Sequence, residues 1–237
     1  MMGRCGAATA VAVAALAGNG WGQVSETTPG WFAFGMSPLD VPADAPMDVS
    51  FLNAEGANDR VRVQGDRFVT ADGRRVRFLG TNVTFSGAFP EKTYAPAIAR
   101  RMAQLGFNVV RFHHMDARDI WLPNQEGLDP DKLDRLDWFI YQLKRNGIYT
   151  NINLHVSRTY PSMRGMDLPR AFRYGKILDT FHPPYIRLQE QYARDLLDRV
   201  NPYTKLRLAD DPAVAFVELN NENTLLNLRG ATLAELP

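Results

Sequence analysis

From Val61 the apolar positions follow two rhythms in turn, one of period two and one near 3.6, and their alternation predicts the fold. VRVQGDRFVTADGRRVRFLG alternates residue by residue and carries Asp72-Gly73, a dipeptide suited to a hairpin tip. Thr81-Asn82-Val83 reads as a first core strand, and Ile98, Met102 and Leu105 share one face of a helix over 97–105 that Gly106 stops. FNVVRFHHMD reads as the second strand. The helix after it places Leu133, Leu136, Ile140 and Leu143 on one face, with Asp131 and Asp134 near its start, Lys144 and Arg145 in its last turn and Gly147 beyond. IYTNINLHV gives a third strand, and Leu188, Tyr192, Leu196 and Val200, at every fourth position, give a third helix over 184–200. PAVAFVELNNEN is the fourth strand, apolar enough to be covered on both faces, and a fourth helix is possible over 231–236. Strands alternating with amphipathic helices argue for parallel α/β units. A dinucleotide fold is disfavoured, because no strand runs into a G-x-G-x-x-G loop.

The first sixty residues have a different texture. A short basic start at Arg4, an alanine- and valine-rich run from Cys5 to Ala17 and the small-x-small triplet Ala15-Leu16-Ala17 predict a signal peptide over 1–23. The run is shorter than the roughly 20 apolar residues of a membrane span, so no membrane association is expected once it is cleaved, and the chain is expected in a secreted or periplasmic compartment. Cys5 is the only cysteine and leaves with the leader, which suits an oxidising environment. Residues 24–60 hold Pro29, Pro38, Pro42 and Pro46 with no sustained period, and read as irregular wrapping before a domain over 61–237.

Composition narrows the chemistry. With 45% hydrophobic residues the chain can bury a core, and a net charge of +1 offers no basic field for nucleic acid. One cysteine rules out multi-cysteine zinc or iron–sulfur sites, which leaves carboxylate, amide, guanidinium and imidazole chemistry. Those groups gather at the strand ends: Asn82, then Arg111 and His113, then Asn153 and His155, then Asn221 and Glu222. In a (β/α)8 TIM-type barrel that end is the catalytic face. Residues two apart share a side, so Arg111 with His113, Asn153 with His155, and Glu218 with Asn220 and Glu222 can each face one interior.

The hairpin and first strand VQGDRFVTADGRRVRFLGTNV, the Arg in NVVRFHH, the His in NLH and the Asn-Glu pair in ELNNEN together resemble clan A glycoside hydrolases, especially the cellulase-like family 5. The likeness runs from about Val61 to Leu226 and implies a retaining hydrolase of oligo- or polysaccharides that needs no cofactor and no metal. It assigns Glu222 as acid/base, Asn221 as donor to the sugar 2-hydroxyl, Arg111 as brace for the nucleophile, and His155 as contact to the sugar beside the scissile bond. The family's nucleophile is a glutamate ending the seventh strand. The chain therefore reads as a barrel truncated to about its first four strand–helix units, with a small hairpin before it and open edges through which it could self-associate. Two residues depart from the family pattern: Asn223 stands where proline is often found, and Asn153 where aspartate is common. A competing reading is a half-barrel that binds glycan or a partner chain without cleaving it.

Several residues carry both a chemical and a plain reading. Burial at the end of an apolar strand would raise the Glu222 pKa and keep it protonated for acid catalysis. Glu218 is expected to be a structural partner of a cation or histidine. His113 and His114 beside Asp116 hint at a metal, but side chains adjacent in a strand point to opposite sides, so His113 is assigned to the cleft. His182 before Pro183-Pro184 reads as a loop or cap residue. Trp121 and Tyr160 are candidates for sugar-stacking walls. The Asn82-Val83-Thr84 sequon is discounted because it sits at a strand tip in the barrel mouth.

Overall fold

The computed structural model describes residues 48–53, 56–163 and 175–224. The expected signal peptide, most of the proline-rich segment and the expected helix over 231–236 lie outside them. A small antiparallel sheet comes first: β1 (Arg62–Gln64), β2 (Arg67–Val69) and β3 (Arg75–Val76), in that order. Its second turn is the expected Asp72-Gly73 tip, where Gly73 sits at φ +85° and the Asp72 carboxylate accepts from the Arg74 amide. The first strand, β1, is an addition to the expected hairpin.

Four parallel strands follow, β4 (Gly80–Thr84), β5 (Val109–His113), β6 (Tyr149–His155) and β7 (Val214–Asn220), neighbouring one another in chain order. Between them run α1 (Ala95–Gln104), α2 (Pro130–Arg145), the short α3 (Leu178–Phe181) and α4 (Pro183–Leu197). Chain-order adjacency is how a (β/α)8 barrel wall is wound, and the described residues form four strands of such a wall. Helices α1 and α2 both end in the Schellman pattern. Phe107 and Ile148 reach back to Met102 and Leu143, while Gly106 and Gly147, at φ +82° and +70°, take the left-handed position. A Cβ on Gly147 would lie 2.2 Å from the Asn53 carbonyl oxygen, so this position demands glycine twice over. At the start of α2 the Asp129 side chain caps the Asp131 amide, and at the start of α4 the His182 ring faces the Tyr185 amide at 3.3 Å, which makes His182 a cap residue.

The main core fills the space between sheet and helices: Val110, Phe112 and Ile152 from the strands meet Leu136, Phe139, Ile140 and Leu143 of α2 and Leu196 of α4. At the opposite face of the sheet's lower end, Phe68 of β2 and Phe78 pack edge-on against Phe216 of β7, and Phe78 also against Tyr149 of β6, with ring centroids 5.0–5.8 Å apart. The small sheet thereby plugs the N-terminal end of the strands and leaves their C-terminal ends for polar groups.

One expectation is corrected. Strand β7 is not covered on both faces by the described residues: Val217 is 41% and Leu219 72% exposed, because no described helix lies over them and β7 is an edge of the sheet, as is β4.

Candidate active site

Arg111 organises the C-terminal ends of the strands. Two residues before the end of β5, its side chain crosses to β6 and β7: Nε donates to Glu218 Oε1 at 2.8 Å and Nη2 to Glu218 Oε2 at 2.6 Å. The same Nη2 lies 3.2 Å from Asn153 Oδ1 and 3.0 Å from Asn221 Oδ1. Asn153 is fully buried, and its Oδ1 also faces His113 Nδ1 at 2.7 Å. Asn151, two residues earlier on the same face of β6, donates to Glu218 Oε1 at 2.6 Å. Arg111, His113, Asn153, Glu218 and Asn221 thus form one hydrogen-bonded cluster on three strands. Asn82 of β4 pairs in register with Arg111 and shares with it a concavity of about 300 Å³, floored by Gly80, Val109, Asn151 and Phe216.

Glu218 is the cation partner expected of it. Its bonds from Arg111 hold its carboxyl below the ordinary glutamate range, burial opposes them, and Asn151 adds to the lowering. Since the folded carboxyl gives up its proton more readily than the unfolded one, the stability from this pair is complete above the ordinary value of 4.5 and is lost as pH falls below it. The difference in urea midpoint between the natural chain and Glu218→Gln is therefore expected to shrink on going from about pH 6 to about pH 3. A difference that stays constant across that range would mean the pair contributes nothing through its charge.

Next to this cluster lies a buried one. Asp116 is fully buried, and its Oδ2 accepts from three successive backbone amides, Val156 at 2.8 Å, Ser157 at 2.9 Å and Arg158 at 3.0 Å. The His155 Nδ1 lies 3.5 Å from that oxygen, and the His155 Nε2 lies 3.2 Å from the Tyr185 hydroxyl. Burial works to raise the Asp116 pKa, yet the His155 contact and the amides overcome it and hold the carboxyl below its ordinary value, so it is an anion at neutral pH. His155 is 3% exposed with both ring nitrogens facing protein groups. Expected to contact sugar, His155 lies here between Asp116 and Tyr185.

Asn221 and Glu222 lie just past β7. The Asn221 amide donates to the His155 carbonyl at 2.9 Å, extending the strand pairing by one residue. Glu222 turns sharply away, at φ +47°. It is exposed among the described residues. Lys176 donates to the Asn221 carbonyl and sits 3.4 Å from the Glu222 carbonyl. Burial pushes its ammonium down, while Glu222, Asp116 and Asp179 pull it up.

Two further expectations change. His114 does not obey strand alternation: it lies past the end of β5 at φ +56°, and its ring is 4.2 Å from that of His113, stacked on Phe85 and 3.0 Å from the Ser157 hydroxyl. No group of three or more His, Cys, Asp or Glu among the described residues could hold a metal ion. Trp121 and Tyr160 do not wall the Arg111 concavity. Trp121 donates to the Asp116 carbonyl at 2.8 Å, carries the Arg158 guanidinium on its ring at 3.7 Å and packs on Tyr192. With Tyr160, Leu188 and Gln191 it lines a separate pocket of about 430 Å³.

The sequence reading overlooks Asn151, which the period of two would have placed beside Asn153. It also overlooks Tyr185 and Lys176, which come from segments whose approach depends on the folded path after β6 and which no local pattern marks.

The family model for cellulase (glycosyl hydrolase family 5) matches residues 69–222. No relative emerges among curated proteins. Among solved structures, the chain is similar to an endo-1,4-beta-mannanase from Rhizomucor miehei, at 25% identity and a TM-score of 0.52 over 69% of this chain and 48% of that one. It is also similar to a glycoside hydrolase family 5 mannosidase from the same organism, at 12% identity and a TM-score of 0.56 over 71% of this chain and 50% of that one. The chain spans about half the length of each.

Proposed function

Because the chain belongs to glycosyl hydrolase family 5, we propose that it contributes to hydrolysis of O-glycosidic bonds in an oligo- or polysaccharide by a retaining double displacement, and supplies the acid/base half of the site. The observation that carries this reading is the Arg111 cluster, which ties Asn221 to Arg111 across three strands and brings Glu222, its chain neighbour, to the open end of the sheet. Glu222 gives its proton to the leaving oxygen and then, as carboxylate, takes one from the attacking water. Asn221, whose Oδ1 accepts from Arg111, keeps its amide NH2 as the donor for the sugar 2-hydroxyl.

Glu218 is a poor nucleophile, since both of its oxygens accept from Arg111 and one also from Asn151. The second carboxyl, needed about 5 to 5.5 Å from Glu222 for retention, comes from a strand beyond those described. Arg111 then serves two anions, Glu218 below and the nucleophile above.

The test is sugar release from β-mannans and β-glucans by the protein completed with the strand that carries the second carboxyl, with the anomer of the first product followed by NMR; the 237-residue chain alone is expected to be inactive. Release of the β-anomer from a β-linked polymer is the expected result. Inversion, or no release from any of these polymers, would overturn the proposal.

A further inference from the structure

The turn that carries Glu222 is held from outside its own strand. Residues 221–223 meet the segment 176–179, which lies about 45 positions earlier in the chain, through four contacts. Lys176 donates to the Asn221 carbonyl and lies 3.4 Å from the Glu222 carbonyl. The Asn223 side chain completes the junction: its Oδ1 accepts from the Ile177 amide at 3.0 Å, and its Nδ2 donates to the Asp179 carboxylate. Ile177 itself sits at φ +77° and Glu222 at φ +47°. Left-handed backbone is sparsely populated by side chains of these types, and it persists only where the surroundings fix it. Here two such residues face each other across one amide side chain. Asn223 is the residue that suits this place, because a single planar amide offers an acceptor to the Ile177 amide and a donor to the Asp179 carboxylate of the facing segment.

We propose that Asn223 is a positioning residue for Glu222: by bridging the Ile177 amide and the Asp179 carboxylate it locks the turn that aims the Glu222 carboxyl. This rests on the reading of Glu222 as acid/base. The junction ties the direction of that carboxyl to residues 176–179, so that segment and the catalytic turn move as one body. Asp179 and Lys176 act through Asn223 and the two carbonyls, without touching sugar.

The test compares Asn223→Ala, Asp179→Ala and Asp179→Asn, in the protein completed with the strand that carries the second carboxyl, by two readouts. The first is amide exchange. In Asn223→Ala the Ile177 amide is expected to exchange about tenfold faster, while amides of β5 and β6 keep their rates. The second is kcat on a pair of aryl glycosides, one with a poor and one with a good leaving group. Asn223→Ala and Asp179→Ala are expected to lose about tenfold on the poor leaving group and little on the good one, since only the former needs a well-aimed proton. Asp179→Asn keeps an acceptor oxygen for Asn223 and is expected to stay near the natural rate. Equal losses on both substrates, or an unchanged Ile177 amide, would overturn the proposal. If Glu222→Gln itself spares the poor leaving group, the acid/base reading falls, and amide exchange alone still decides whether the clamp exists.

Discussion

Glu222→Gln is expected to lower kcat on an unactivated glycan by roughly 10²- to 10⁴-fold, the range that general acid catalysis supplies. Glutamine keeps the size and polarity of the side chain and removes the transferable proton, so binding changes little and KM is expected to hold. An activated aryl glycoside should lose much less in its first step, because its leaving group departs without protonation. Its second step then becomes slow, since no base remains to activate water, and a burst of aryl alcohol followed by a low steady rate is the expected time course. Stopped-flow measurement on the protein completed with the strand that carries the second carboxyl checks both. Full activity on the natural glycan would assign the proton to another group.

Asp116→Ala is expected to be the most damaging single change to stability outside the hydrophobic core. The carboxylate is fully buried, and one of its oxygens takes three backbone amides from residues 156–158. Alanine would leave those donors without their acceptor and His155 without its anion. Breaking a buried charged network of this kind costs about 3–5 kcal/mol. Asp116→Asn keeps one acceptor oxygen and should cost clearly less, which separates the need for an acceptor from the need for a charge. Urea denaturation of both variants, with amide exchange at 156–158, measures the two contributions. A midpoint for Asp116→Ala close to that of the natural chain would show that the amides find other partners.

The large elements are legible in the sequence because each rests on a local rhythm. The face of Leu136, Ile140 and Leu143 is the buried face of α2, and the glycines predicted to stop α1 and α2 occupy left-handed caps. Arg111 and Asn153 could be placed for the same reason: period two put them inside, and inside they meet. What escaped depends on distance along the chain. Asp116 anchors residues 40 or more positions away, and Tyr185 reaches His155 from a helix 30 positions later, neither of which leaves a mark in the local pattern. His114 escaped for a different reason. Alternation holds only while a strand continues, and a single left-handed residue at its end turned a side chain assigned to the far side back toward its neighbour.

The aromatic plug of Phe68, Phe78, Tyr149 and Phe216 has a bearing on how such a protein changes over generations. It anchors the strands at the end remote from Glu222, so the loops beyond the other end can vary in length and composition while the anchor stays fixed. A library that randomises only the exposed positions between β5 and α2, sparing Asp116 and the core residues Met115, Ile120 and Trp121, would therefore sample new specificities from a scaffold that still folds, whereas the same number of changes spread over the plug would mostly yield insoluble protein. Novelty in this architecture is cheap at one pole of the sheet because the other is conservative.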